Sequence, residues 1–230
     1  MNTVISLLEQ FKFQRTKEPL STPLVVHAVA GAGKSTLIRA ALEADPSIRA
    51  YTHGVPDPPS LDANSILSFN PNPPSHTTNL LDEYPVRDPP KAFACLLADP
   101  LQHTGVKKRP HFISRTSHRL GPSTAKLLAT VGIHFEGAGP AILASASGIF
   151  DAALFGKIIA LDSTVGDLLR RHGVVFSFPH EVLGQEFPIV TVVSALPLPE
   201  VCDKESLYIA CSRHTQELHV RAPGASDTSC

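Results

Sequence analysis

The sequence predicts an α/β fold with parallel sheets, and three features of the chain carry that expectation. A β-branched run at residues 23–29 passes through glycines straight into TLIRAALEA, whose apolar positions recur with helical period. Two later apolar runs, at residues 79–81 and 92–98, each end in acidic residues. Parallel strands do this when they deliver polar groups to the carboxyl edge of a sheet. Beyond residue 110 the alternation of short apolar runs and helical patterns begins again.

Taken in order, the opening MNTVISLLEQFKF is apolar at helical spacing, short and interrupted by charge. It reads as an amphipathic helix within an N-terminal extension, residues 1–20, rather than a signal peptide. A first domain is expected over residues 21–107. Its prolines cluster in PDPPS and NPNPP between Pro56 and Pro74, which exclude a helix interior or an inner strand and leave surface loops with one short strand at 65–69. Polar residues 103–110 read as a hinge, and a second domain is expected over residues 108–230. Strands are predicted there at 110–114, 158–162, 173–178, 189–194 and 207–210, with helices at 123–131 and 165–171.

Bulk composition narrows the function classes. The 230 residues are 43% apolar with a net charge of −1, so the chain can bury a real core, and a histone-like or coat-like packaging role is disfavoured. Nucleic-acid binding would need a local groove. The four cysteines, Cys95, Cys202, Cys211 and Cys230, form no C-x-x-C pair, which argues against a disulfide framework or zinc site and for a reducing, intracellular setting. No apolar run reaches the ~20 residues that span a bilayer, because residues 143–161 are broken by Gly148, Asp151, Gly156 and Lys157. Direct membrane insertion is not expected.

The strongest chemical signal is AVAGAGKST at residues 28–36, which fits G-x-x-x-x-G-K-[ST] everywhere except its first place, where Ala28 stands for glycine. Gly31, Ala32 and Gly33 let backbone N–H groups converge on phosphate oxygens, and the following helix adds its positive end through Lys34, Ser35 and Thr36. Lys34 supplies charge to the β- and γ-phosphates, and the Ser35 hydroxyl is placed for Mg²⁺. ATP and Mg²⁺ are the expected cofactors. Ala28 is a small-for-small change, expected to be tolerated at some cost in nucleotide affinity.

A phosphate loop binds but does not hydrolyse. LDEY at residues 81–84 supplies the missing acids: Asp82 for Mg²⁺ and Glu83 as general base toward water. Adjacent acids are common on solvated loops; their position after a phosphate loop is what turns them into candidates. ADPLQ at 98–102 adds Gln102, which could read the γ-phosphate or orient the attacking water. For nucleic acid the chain offers Lys107, Lys108, Arg109, Arg115, Arg119 and Lys126, but no Trp and only three Tyr, so binding should follow the backbone of a single strand and fall with salt. No N-K-x-D motif supports a GTPase, and the late arginine lies in SRH rather than in the lid cluster of a small-molecule kinase.

GAGKS, DEY and ADPLQ in this order resemble the superfamily 1 RNA helicases of positive-strand RNA viruses, most of all the first triple-gene-block movement proteins of potexviruses and carlaviruses. AYTHGVP at 50–56, SHRLG at 117–121, GQEFPIVTVV at 184–193 and LYIACSRH at 207–214 resemble further motifs of that family. The resemblance implies two RecA-like domains with ATP at their interface. It makes Arg119 and Arg213 candidate arginine fingers, and Thr52, Gln185 and Glu186 RNA-contacting positions. It further implies roles in cell-to-cell movement and suppression of RNA silencing, with viral coat protein, the other triple-gene-block proteins and host silencing factors as partners. The implied setting is host cytoplasm, inclusions and plasmodesmata; self-association stays open. The alternative is an RNA- and protein-binding movement or suppressor factor whose slow ATPase acts as a switch.

Overall fold

The computed structural model describes residues 1–58 and 64–225, so the end of PDPPS and Cys230 lie outside the described residues. Two units divide the chain, Met1–Arg115 and Thr116–Cys230.

The first unit opens with helix α1 (Asn2–Gln10), which buries Val4 and Leu8. Strands β1 (Gln14–Arg15) and β2 (Leu24–Ala28) lead to helix α2 (Lys34–Ala44), on which α1 packs. Then come β3 (Ile48–Thr52), β4 (Ile66–Ser68), β5 (Thr78–Asp82), β6 (Cys95–Ala98) and β7 (Phe112–Ser114). They make one seven-stranded sheet in the order β1-β7-β2-β6-β5-β3-β4. Only the edge pair β1 and β7 is antiparallel among its described pairings. The short strand expected at 65–69 is β4.

Burial explains which runs become inner strands. β2 and β6 are buried at every position, the near-continuous apolar pattern of a sheet covered on both faces. β5, TNLLD, is more polar than its neighbours, yet four of its five residues are buried. Its Asn79 is satisfied internally: Nδ2 donates to the carbonyls of Pro74 (2.9 Å) and Ala92 (3.2 Å), while Oδ1 accepts from Thr77 (2.8 Å). A polar side chain thus staples β5 to the proline-rich loop before it. Residues 103–110 do not separate the units, since β7 follows them and pairs with β2 inside the first sheet.

The second unit contains β8 (Thr116–Ser117), α3 (Pro122–Ala129), β9 (Glu136–Gly137), β10 (Ile142–Ser147), β11 (Lys157–Ala160), α4 (Ser163–Arg171), β12 (Phe187–Val193), α5 (Lys204–Cys211) and β13 (His214–Arg221). Its main sheet, β10-β13-β12-β11, is parallel throughout, and β8 and β9 form a small parallel pair. The α/β fold with parallel sheets is therefore present in each unit.

Two expected strands are corrected. Residues 207–210 lie in helix α5, which Asp203 starts by accepting the Ser206 N–H at 2.9 Å. Every residue from 207 to 211 is buried, so this part of the helix carries no polar position and its short apolar run imitates a strand. Residues 173–178 form no ladder strand; Ser177 makes a single bridge to Ile159, and Phe176 and Phe178 press their rings on Gly166 of α4. The polar-looking β13, in contrast, is an inner strand. Its Arg221 is fully buried and donates to the Ala153 carbonyl (2.9 Å) and to Ser145 Oγ (3.0 Å).

Candidate active site

Because β2, β6, β5 and β3 are adjacent and parallel, their carboxyl ends share one edge of the first sheet. The register sets His27 beside Ala98, and Asp82 between Leu97 and Thr52. Residues 28, 82 and 99, far apart in sequence, are neighbours there.

After Ala28 the chain turns through Gly31 (φ 74°) and Gly33 (φ 90°), both in the left-handed region that residues with side chains rarely adopt. A β-carbon on Gly33 would meet no atom within 4 Å, so the demand for glycine comes from the backbone alone. Helix α2 starts at Lys34 with Gly33 as its cap and no side-chain oxygen on its first N–H groups. Those donors and the helix dipole suit a phosphate. Ala32 is buried, Lys34 and Ser35 half-buried and Thr36 exposed. Lys34 Nζ donates to the Ala28 carbonyl at 2.9 Å.

At the end of β5, Asp82 is buried, and its Oδ1 has no hydrogen-bond partner among the described residues. Burial first, and the charge of Glu83 next, push its pKa up to about 7, against a weaker pull from Lys34. An orphaned carboxylate oxygen that feels the charge of Lys34 fits a hydrated divalent cation. In the metal-free protein the native state then holds more protons than the unfolded chain between about pH 4 and 7, so this group makes stability fall as pH rises through that window. Asp82→Asn should raise Tm by a few degrees, roughly 2–4 °C per kcal/mol, with a larger gap at pH 8 than at pH 5. Thermal melts in EDTA at the two pH values check this; an equal gap would refute it.

Glu83 follows with φ 55°, a left-handed conformation that costs a non-glycine residue roughly 1 kcal/mol. Its Oε2 is in hydrogen-bond contact with His103 Nε2, both side chains being largely buried. Asp99, fully buried, accepts from the Leu101 N–H (3.0 Å) and from Gln102 Nε2 (2.8 Å), which fixes the Gln102 amide. Tyr84 is buried as well. Its oxygen accepts the Lys108 N–H at 2.8 Å and shares a hydrogen bond with His27 Nε2 at 2.9 Å. Burial, then Lys107 and Lys34, hold His27 neutral with a pKa of about 4.

The second unit gathers its candidates in a separate cluster. Arg213 follows helix α5, not a strand; its guanidinium is buried and donates to the Ile209 carbonyl (3.1 Å) and Ser212 Oγ (2.9 Å). Arg119 donates to the Ser212 carbonyl at 2.7 Å and pairs with Glu186. The two arginines thus share Ser212. His214 beside them is bonded to Thr124 Oγ1 at 3.1 Å and pushed down to about 4, by burial first and then by Arg119.

The expected RNA positions differ in exposure. Lys107, Lys108 and Arg109 are exposed, with Arg109 4.0 Å from Glu18. Gln185 is exposed and donates to the Glu181 carbonyl, and Glu186 carries the ion pair to Arg119. Thr52 is buried, and its hydroxyl accepts the Gly54 N–H at 2.9 Å, so it acts on the turn that follows rather than offering its hydroxyl outward. The sequence reading missed Asp99, His103 and the His27–Tyr84 bridge. The available signal was adjacency alone: His103 follows Gln102, and Tyr84 follows Glu83.

Residues 24–222 match the family model of the viral superfamily 1 RNA helicase core domain. The chain is 50% identical, over 97% of its length and 96% of the relative, to the movement and silencing protein TGBp1 of Papaya mosaic potexvirus. Identity to the protein of that name is 48% in Plantago asiatica mosaic potexvirus, covering 97% of each chain, and 40% in Potato virus X (strain CP), covering 96% of this chain and 99% of the relative. Among solved structures, the arterivirus nonstructural protein 10 helicase complexed with DNA superposes with a TM-score of 0.53 at 16% identity, over 97% of this chain and 58% of that one. A second structure of arterivirus nonstructural protein 10 gives 0.51 at 17% identity, over 96% and 57%. At such identities the likeness is one of fold, and this chain spans little more than half the length of those helicases.

Proposed function

The chain belongs to the viral superfamily 1 RNA helicase family, and from that premise we propose that it is an RNA-stimulated ATPase that unwinds or remodels RNA. The relatives named above are movement and silencing proteins. The proposal extends to cell-to-cell movement of a plant RNA virus through plasmodesmata and to suppression of host silencing. The observation that carries the enzymatic reading is the buried, unpartnered Asp82 oxygen next to Glu83, on the sheet edge that also ends in the glycine loop.

Each residue has a task in this reading. Backbone N–H groups of residues 31–36 bind the phosphates, and Lys34 exchanges the Ala28 carbonyl for phosphate oxygens. Ser35 and Asp82 would hold Mg²⁺, which when bound draws charge from the β- and γ-phosphates. Glu83 accepts a proton from the attacking water, and Gln102, held by Asp99, orients that water. Arg213 and Arg119, which share Ser212, are the candidates to offer positive charge to the transferring phosphoryl group. Lys107, Lys108 and Arg109 track the phosphates of single-stranded RNA.

The test is phosphate release from ATP with and without single-stranded RNA. RNA should raise the rate, and Arg213→Ala should lower kcat roughly 100-fold while nucleotide binding persists. A rate indifferent to RNA, or an Arg213→Ala variant as fast as the parent, would sink the reading.

A further inference from the structure

Glu83 is the group on which the proposed hydrolysis turns, and its side chain is held from a second strand end. The turn after β6 is built around Asp99, whose two carboxylate oxygens take the Leu101 N–H and the Gln102 amide. That fixes the backbone from which His103 projects. The His103 ring is 6% exposed and meets the Glu83 carboxylate, itself 13% exposed, through Nε2 and Oε2. On another side Gly54 approaches: a β-carbon there would lie 3.6 Å from Glu83 Cγ and 3.3 Å from Thr52 Oγ1. The carboxylate is therefore confined between the turn after β3 and the turn after β6.

We propose that His103 is a positioning residue for hydrolysis, donating its Nε2–H to Glu83 Oε2 and so fixing the orientation in which the carboxylate meets the attacking water. The donor assignment follows from chemistry, since an ionised carboxylate only accepts and the proton of this contact must be carried by the imidazole. Gln102 and His103 are consecutive, so one turn orients the water through its amide and the base through its imidazole. A base allowed to swing loses alignment with its water, and small displacements cost large factors in rate.

The proposal rests on the reading of Glu83 as general base, and the experiment separates the two. RNA-stimulated phosphate release and binding of a fluorescent ATP analogue are measured for the full chain and for His103→Ala, His103→Gln and His103→Asn. Glutamine places an amide N–H near the position of Nε2, whereas asparagine is too short. His103→Ala should lower kcat roughly 30-fold with KM and analogue affinity within about twofold of the parent, His103→Gln should recover most of the rate, and His103→Asn should not. If His103→Ala is poorly folded, the contrast between glutamine and asparagine still decides. An active parent with His103→Ala equally active, or glutamine and asparagine variants equally slow with raised KM, overturns the positioning role alone. A parent that releases no phosphate removes the functional reading, and this proposal with it.

Discussion

Lys34→Ala is expected to lower kcat/KM for ATP roughly 1,000-fold or more, a loss of about 4 kcal/mol of transition-state stabilisation. The lysine sits at the first position of α2, where a positive charge opposes the helix dipole at a cost of about 0.3–1 kcal/mol, and alanine is a better helix former. The variant should therefore melt at the same temperature as the parent or slightly higher, so lost activity cannot be ascribed to unfolding. Fluorescent-nucleotide titration and phosphate release measured beside thermal melts make the comparison. RNA-stimulated phosphate release that survives the substitution would show the catalytic reading to be wrong. In a virus carrying the change, lost movement with intact silencing suppression would favour separable roles for the ATPase and for suppression.

Glu83→Gln is the second large effect, with kcat expected to fall about 1,000-fold. Glutamine keeps the length of the side chain and an oxygen for His103, so the left-handed turn and its packing should persist. Affinity should move the other way. The Glu83 charge is one of the two main causes that keep Asp82 protonated to about pH 7; without it Asp82 ionises more readily, and Mg²⁺-dependent nucleotide binding should tighten. A variant that binds ATP at least as well as the parent yet hardly turns it over is the expected result. Equal losses in binding and turnover would instead assign Glu83 to the nucleotide cradle.

Where the sequence was legible, local pattern and tertiary place agreed. The strand at 24–28, its glycine turn and the helix at 34–44 were readable because left-handed backbone needs glycine and the following apolar residues keep helical period. Asp82 and Gln102 stood out because parallel strands end in polar residues at one sheet edge. What escaped was set by contacts distant in sequence. Residues 207–211 of helix α5 are all buried, so that stretch lacks the polar positions that mark a helix. Strand β13 hides its polar residues through bonds to residues about 70 positions earlier, such as Arg221 with Ala153. His103 gains its meaning only from Glu83, twenty positions away on another strand end. No window of sequence contains both members of such a pair.

The bond from Lys34 to the Ala28 carbonyl bears on how such loops diverge. What position 28 contributes is a carbonyl oxygen, which every amino acid possesses, and the 1% exposure of Ala28 limits only how large its side chain can be. The structure therefore constrains the side-chain volume at position 28, where alanine fits, while Gly33, held to φ 90°, has no such latitude.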